Sequence, residues 1–239
     1  MAPKQVQRPV TKRRRKSAAR KKKAKPAPTP PVRRPAGRLE EILRRKGFRF
    51  VAGVDEVGRG SLAGPLVTAA VCLDVHRVPE NLCDSKMLTA EEREACAADI
   101  MRLAVGVSYI VVDSDDIDED GLGVSNLAAL KRAVRALHPT PQYVISDHFP
   151  MDDDGAPWVG LPKADALSAA VAAASIVAKV SRDAFMATLD ATHPGYNFQS
   201  NKGYGTNEHW AAIRALGPSP VHRRSFKGVA SYQPTLGDI

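Results

Sequence analysis

Two adjacent carboxylates close an apolar run and open a glycine loop, and this arrangement restricts the possible folds more than any other feature of the chain. Residues 48–54 alternate as a strand, Asp55 and Glu56 end it, and Gly58, Gly60 and Gly64-Pro65 break the segment that follows. Like charges about 4 Å apart repel by roughly 4 kcal/mol at an effective dielectric of 20. A fold that keeps both acids there must supply a proton, a basic partner or a divalent cation.

The remaining pattern predicts an α/β layer around this strand. Residues 38–46 read as a short amphipathic helix through Leu39, Ile42 and Leu43, ended by Gly47. Residues 66–73 read as a buried second strand, 91–103 as a helix, 104–112 as a third strand and 124–137 as a helix. A short strand over 143–146 runs into Asp147, and Asp165 opens a long alanine-rich helix over 166–189. A last helix spans 207–216, with Thr206 as its N-cap and Gly217-Pro218 as its stop. Early strands followed by alternating helices and strands predict a mixed sheet flanked by helices. If the sheet brings the strand ends together, Asp55, Glu56, Asp147 and Asp165 converge. An oxygen-only site of this kind suits Mg²⁺ or Mn²⁺ rather than zinc. Two such ions roughly 3.5 to 4 Å apart hydrolyse phosphodiesters. Each acid also has a plainer reading: a solvated turn for Asp55-Glu56, a loop acid for Asp147, an N-cap for Asp165. Periodicity alone does not choose between them.

Charge divides the chain sharply. Residues 1–38 carry 15 of the 35 Lys and Arg and no acid, which leaves 20 basic against 26 acidic residues, a net −6, in the remainder. So basic a segment, broken by proline and alanine, buries too little apolar surface to offset its chain entropy and is expected to be disordered. Blocks such as residues 12–16 and 20–25 contact nucleic acid in a salt-dependent way, although a solubilising or targeting role fits the composition too. Having no carboxylate, histidine or nucleophile, the tail brings no chemistry. No apolar run approaches a membrane span and the start does not resemble a secretory signal, so a cytoplasmic protein is expected. Cys72, Cys83 and Cys96 form no paired spacing, which argues against structural zinc and a disulfide framework.

Two motif matches fail on context. Residues 58–63 fit a dinucleotide fingerprint, but Pro65 and a strand-like run follow where a helix is required. Residues 116–121 resemble the start of a calcium loop, yet Leu127 stands at the twelfth position. These acids, with Asp152 to Asp154, read as solvated loop.

Four blocks then resemble bacterial ribonuclease HII, in that family's order: AGVDEVGRG at 52–60, DSK at 84–86, KADALSAAVAAASIVAKVSRD at 163–183, and KGYGT at 202–206 with HRRSF at 222–226. The resemblance implies a ribonuclease H-like fold with an appended C-terminal helical region, as one catalytic domain over 39–232 between the basic tail and a short tail at 233–239. It implies that Asp55, Glu56, Asp147 and Asp165 bind Mg²⁺ or Mn²⁺. It also implies that backbone groups of Gly58, Arg59 and Gly60 read a 2′-hydroxyl, that Tyr204 packs on the following deoxyribose, and that Ser85 and Lys86 lie near phosphates. A salt bridge within the loop is the other reading of Lys86, and His222 to Phe226 either line the site or dock the C-terminal segment. Cleavage is expected 5′ to a ribonucleotide in an RNA–DNA hybrid or in duplex DNA, by a monomer, leaving a 3′-hydroxyl and a 5′-phosphate. Lys179 and Asp183, four apart on one helix, are expected to pair, which leaves Asp183 out of the metal set. The chain departs from the family pattern at Asn201, where histidine is usual, and at His148 and Ala164, where glycine is. The competing readings are another nuclease on the same fold, including ribonuclease HIII with its folded N-terminal domain, and a non-catalytic nucleic-acid-binding protein.

Overall fold

The computed structural model describes residues 38–74, 77–148, 155–229 and 231. The basic tail up to Gly37, the acids Asp152 to Asp154 and the segment 233–239 lie outside the described residues.

Five strands form one mixed sheet in the order β3-β2-β1-β4-β5, where β1 is Val51–Val57, β2 Leu66–Cys72, β3 Gly106–Val112, β4 Tyr143–Asp147 and β5 Trp158–Leu161. β1 runs antiparallel to β2 and parallel to β4, and β4 is parallel to β5. The first expectation to change is the end of β1. It continues past Val54, with Asp55 opposite Ala69 and Glu56 opposite Thr68, because β2 still offers ladder partners there. The acids therefore stand on a strand rather than beyond it.

Seven α-helices are described: α1 Arg38–Arg45, α2 Ala90–Leu103, α3 Ser114–Asp120, α4 Leu122–Arg135, α5 Ala169–Thr192, α6 Phe198–Asn201 and α7 Asn207–Leu216. Strand alternation divides them between the two faces of the sheet. Val67, Ala69 and Val71 meet α2 and α5 on one side, while Ala52, Val54 and Ala70 meet α4 through Leu130, Ala133 and Val134 on the other. The first half of α5 is buried on every side, from Ala169 to Ala178, which small residues make possible. Gly53 shows how tight the contact is: a Cβ there would stand 2.1 Å from the backbone of Ala170 and Val171. Glycine on β1 lets the backbone of α5 rest directly on the sheet.

Asp165 does not open α5. It sits in a separate 3₁₀ turn, Ala164–Ala166, and Ser168 is the cap, accepting from the Val171 N–H at 3.1 Å. Glu40 of α1, buried, reaches the same helix end, where it accepts from the Ala170 N–H at 2.9 Å and from the Ser168 hydroxyl. A carboxylate there satisfies orphan amides and faces the positive end of the helix dipole. The acids at 115–120 also differ from the expected loop, since α3 contains them. Asp118 accepts from the Arg224 and Ser225 N–H groups at 2.6 and 3.0 Å.

The C-terminal helical region, α6 and α7, packs Phe198, Ile213 and Trp210 against Leu62, Ala63 and Met186. It thereby leans on the loop between β1 and β2.

Replacing Glu40 by Ala is expected to lower stability by about 2 kcal/mol, roughly 4–8 °C in melting temperature, because it strips charge-assisted hydrogen bonds from the α5 N-terminus. A thermal melt unchanged within a degree would show that α1 does not brace that helix.

Candidate active site

The ends of β1 and β4, the 3₁₀ turn after β5 and the loop after β1 open onto one cleft of about 430 Å³. Asp55, Glu56, Asp147 and Asp165 all line it, so acids distant in sequence are brought together. Gly58, Arg59, Gly60 and Tyr204 line the same cleft, as do Ser85 and Lys86. Ser175, Lys179 and Arg93 line it too, without having been singled out as site residues. Ser175 and Lys179 were legible as one face of the long helix, but nothing in the sequence says which face turns inward.

Burial, and then the charge of neighbouring Glu56, push the Asp55 carboxyl up to about 7, against the opposing hydrogen bond from Ser175. Burial also raises Glu56, while Arg59, with Nη1 at 3.4 Å from its Oε1, pulls it back. Asp147 Oδ1 accepts from the Ala164 N–H at 3.2 Å and lies 2.8 Å from His148 Nδ1. His148 holds φ +64 immediately after Asp147. A left-handed backbone there costs nothing to glycine and strains other residues, which accounts for the glycine of the family pattern. The imidazole itself is largely exposed and contacts Asp147.

Ser85 lies in a 3₁₀ turn, Ser85–Met87, where its hydroxyl is 3.1 Å from that of Ser175. Arg93 holds this turn by donating to the Ser85 and Leu88 carbonyls. Lys86 makes no ion pair with another described residue, so the loop salt bridge is not formed among them. Asp183 lies 2.6 Å from Lys179 Nζ and 4.0 Å from Arg93, which occupies it with cations outside the acid group.

Two buried arginines build the loop. Arg223 donates to the Arg59 carbonyl at 3.0 Å and to the Gly64 carbonyl at 2.9 Å, and Arg182 donates to the Pro65 carbonyl at 2.8 Å. Gly58, at φ +100, packs on Arg182, and a Cβ would fall 2.2 Å from its Nε. Burial and the charge of Arg182 push Arg223 down to about 10, still a cation at neutral pH. The segment 222–226 therefore docks the C-terminal region and, through Arg223, shapes the active-site loop as well.

His222 and His209 are both buried, with their Nε2 atoms 3.0 Å apart. The Ser219 N–H donates to His222 Nδ1, so the His222 proton sits on Nε2 and points at His209. His209 then carries its own proton on Nδ1, which donates to the Tyr204 carbonyl at 3.0 Å. One set of neutral tautomers satisfies the chain from Ser219 to Tyr204.

The donor set fits a hard divalent cation. It is oxygen-only, and two of its members are pressed toward the neutral form by burial and mutual repulsion that a cation would relieve. Among the described residues no three His, Cys, Asp or Glu side chains already stand close enough to close on one ion.

A mixed sheet that gathers carboxylates at its strand ends, with cations and a glycine loop along the same cleft, defines a metal-dependent nuclease of the ribonuclease H type. A sequence model described as Ribonuclease HII matches residues 52–229. A ribonuclease HII of Salinispora arenicola is 47% identical over 216 residues, covering 87% of this chain and 80% of the relative. The ribonuclease H2 of Pyrococcus horikoshii superposes with a TM-score of 0.65 at 27% identity, over 76% of this chain and 95% of that one. Bst-RNase HIII in complex with Mn²⁺ superposes at 0.57 and 25% identity, over 76% and 68%. The chain belongs to the ribonuclease HII family. It is a metal-dependent endoribonuclease that cuts RNA in RNA–DNA hybrids, on a ribonuclease H-like fold.

Acid should weaken the histidine pair that tethers Tyr204. Burial and then the charge of His209 depress His222 to about 4, so between pH 6.5 and 4 the unfolded chain takes up a proton that the folded protein refuses. This contribution is whole above the ordinary histidine value and is lost as pH falls, by up to about 3 kcal/mol. In melts from pH 7.5 to 4.5, His222→Asn is expected to be less stable than wild type at neutral pH and to lose less on acidification. Parallel curves would mean that the imidazole pair does not titrate with unfolding.

Proposed function

We propose that the protein hydrolyses the phosphodiester on the 5′ side of a ribonucleotide, whether in an RNA–DNA hybrid or embedded singly in duplex DNA, leaving a 3′-hydroxyl and a 5′-phosphate. The observation that carries this reading is the convergence of Asp55, Glu56, Asp147, Asp165, the loop Gly58-Arg59-Gly60 and Tyr204 on one cleft. Asp55, Glu56, Asp147 and Asp165 hold Mg²⁺ or Mn²⁺. Bound there, two such ions would supply the activation of a water and the stabilisation of the leaving oxygen.

The chain's own residues supply recognition. A Cβ on Gly60 would meet nothing within 4 Å, so the protein's own packing does not demand glycine there, whereas backbone contact with a 2′-hydroxyl would. Tyr204, 39% exposed, offers its ring to the sugar that follows the ribonucleotide. Lys86 and Lys179 bring positive charge to the phosphates, and Ser85 supports the wall through Ser175. Ribonucleotide removal and RNA primer degradation are the processes such an activity serves. We assign the protein to the cytoplasm as a monomer whose basic tail adds salt-dependent affinity for nucleic acid. No helix among the described residues is long and apolar enough to cross a membrane.

A labelled duplex carrying one ribonucleotide should be nicked on its 5′ side only when Mg²⁺ or Mn²⁺ is present, with an all-DNA control left intact. Asp55→Asn should lower the rate by about a thousandfold, several kcal/mol of transition-state stabilisation, and still bind the duplex. Cutting in the presence of a chelator, or equal cutting of the all-DNA control, would sink the proposal.

A further inference from the structure

Arg182 is fully buried at the middle of α5, and no carboxylate among the described residues accepts from its guanidinium. Its donors go elsewhere. Nε reaches the Pro65 carbonyl at 2.8 Å, Nη2 reaches the Ser61 hydroxyl at 2.8 Å and the Ala63 carbonyl at 3.3 Å, and Nη1 reaches the Lys202 carbonyl at 2.9 Å. Its Cζ also lies 5.5 Å from the centre of the Tyr204 ring, within cation–π range. Asp183, next in sequence, is occupied by Lys179 and Arg93.

Those partners belong to two segments far apart in the chain. Ser61, Ala63 and Pro65 are in the loop that begins at Gly58, and Gly58 itself rests on the guanidinium. Lys202 and Tyr204 are in the turn after α6. A planar fork of fixed geometry joins the two, and a buried cation with no carboxylate bonded to it is an expensive way to do so if packing alone were needed.

We propose that Arg182 is a positioning residue for substrate selection: it fixes the gap between the loop at Gly58 and the ring of Tyr204. A ribonucleotide followed by a deoxyribonucleotide is thereby cut in preference to uninterrupted RNA. The inference rests on the reading of that loop and of Tyr204 given above. Lysine keeps the charge but has one point of attachment, so the loop and the turn would no longer be held by the same rigid group.

The test compares kcat and KM on a duplex with a single ribonucleotide and on an uninterrupted RNA–DNA hybrid, with melting curves for each protein. Arg182→Lys should fold and lower the ratio of kcat/KM for the two substrates, single ribonucleotide over hybrid, by about ten- to a hundredfold, as expected for a displacement near 1 Å. Tyr204→Ala should lower the same ratio. The double variant should lose little more than Tyr204→Ala alone, because both changes remove one arrangement. Ser61→Ala leaves the guanidinium in place but removes one of its acceptors, together with the hydroxyl's own bond to the Gly58 carbonyl, and should shift the ratio in the same direction. If Tyr204→Ala moves the ratio while Arg182→Lys and Ser61→Ala, both folded, do not, Arg182 is only a brace and the inference is overturned. A fully additive double variant overturns it too. If Tyr204→Ala itself leaves the ratio unchanged, the assignment of Tyr204 as the sugar contact fails, and the inference fails with it.

Discussion

The close contact between α5 and β1 at Gly53 underlies the rest of the molecule. With no side chain between the helix backbone and the strand, one stripe of α5 is carried along the sheet toward the acids. Ser175, Lys179, Arg182 and Met186 fall on that stripe at spacings of four, three and four. In order they meet the Asp55 carboxyl, the cleft wall, the loop after β1, and the underside of Gly64 and Gly203. A single packing event thus positions the acids and the residues that line the cleft beside them.

Around that helix, charges of opposite sign are buried close to one another with few direct ion pairs between them. The acids of β1 are pushed toward their neutral forms, while Arg182 and Arg223 are pushed toward losing a proton. The arginines are satisfied by carbonyls of the loop and of the turn after α6 and by the Ser61 hydroxyl, so they hold the loop's shape without neutralising the acids. That separation suits a site whose carboxylates are reserved for divalent cations. Within the loop the carbonyls of Arg59, Ala63, Gly64 and Pro65 are all taken up by these two guanidinium groups.

Legibility in the sequence followed the range of the interaction. The acid pair before a glycine loop, the helix capped by Thr206 and the run of small residues in α5 are local patterns, and the structure has them at or near the expected positions. The bounds that changed were set by distant partners. β1 extends through Glu56 because β2 pairs with it, and α5 starts at Ser168 rather than Asp165 because Ser168 and Glu40 of α1 together satisfy its first amides. The acids at 116–120 read as solvated loop, whereas α3 contains them and Asp118 binds the amides of a segment about a hundred residues away.

The sequence alone determined the chemistry available: which oxygens can bind a cation, where glycine permits a positive φ or a close approach, and which stretches are strand or helix. Those choices are written in side-chain type and in spacing over a few residues. Only the tertiary structure decided which acids share a cleft, that Arg93 joins Lys179 at Asp183, and that Arg182, His209 and His222 serve the Tyr204 turn. Each of those depends on groups that meet only after the sheet, α5 and the C-terminal helices have packed. No local pattern encodes such a meeting, because its free energy comes from burial shared among segments that the chain itself keeps far apart.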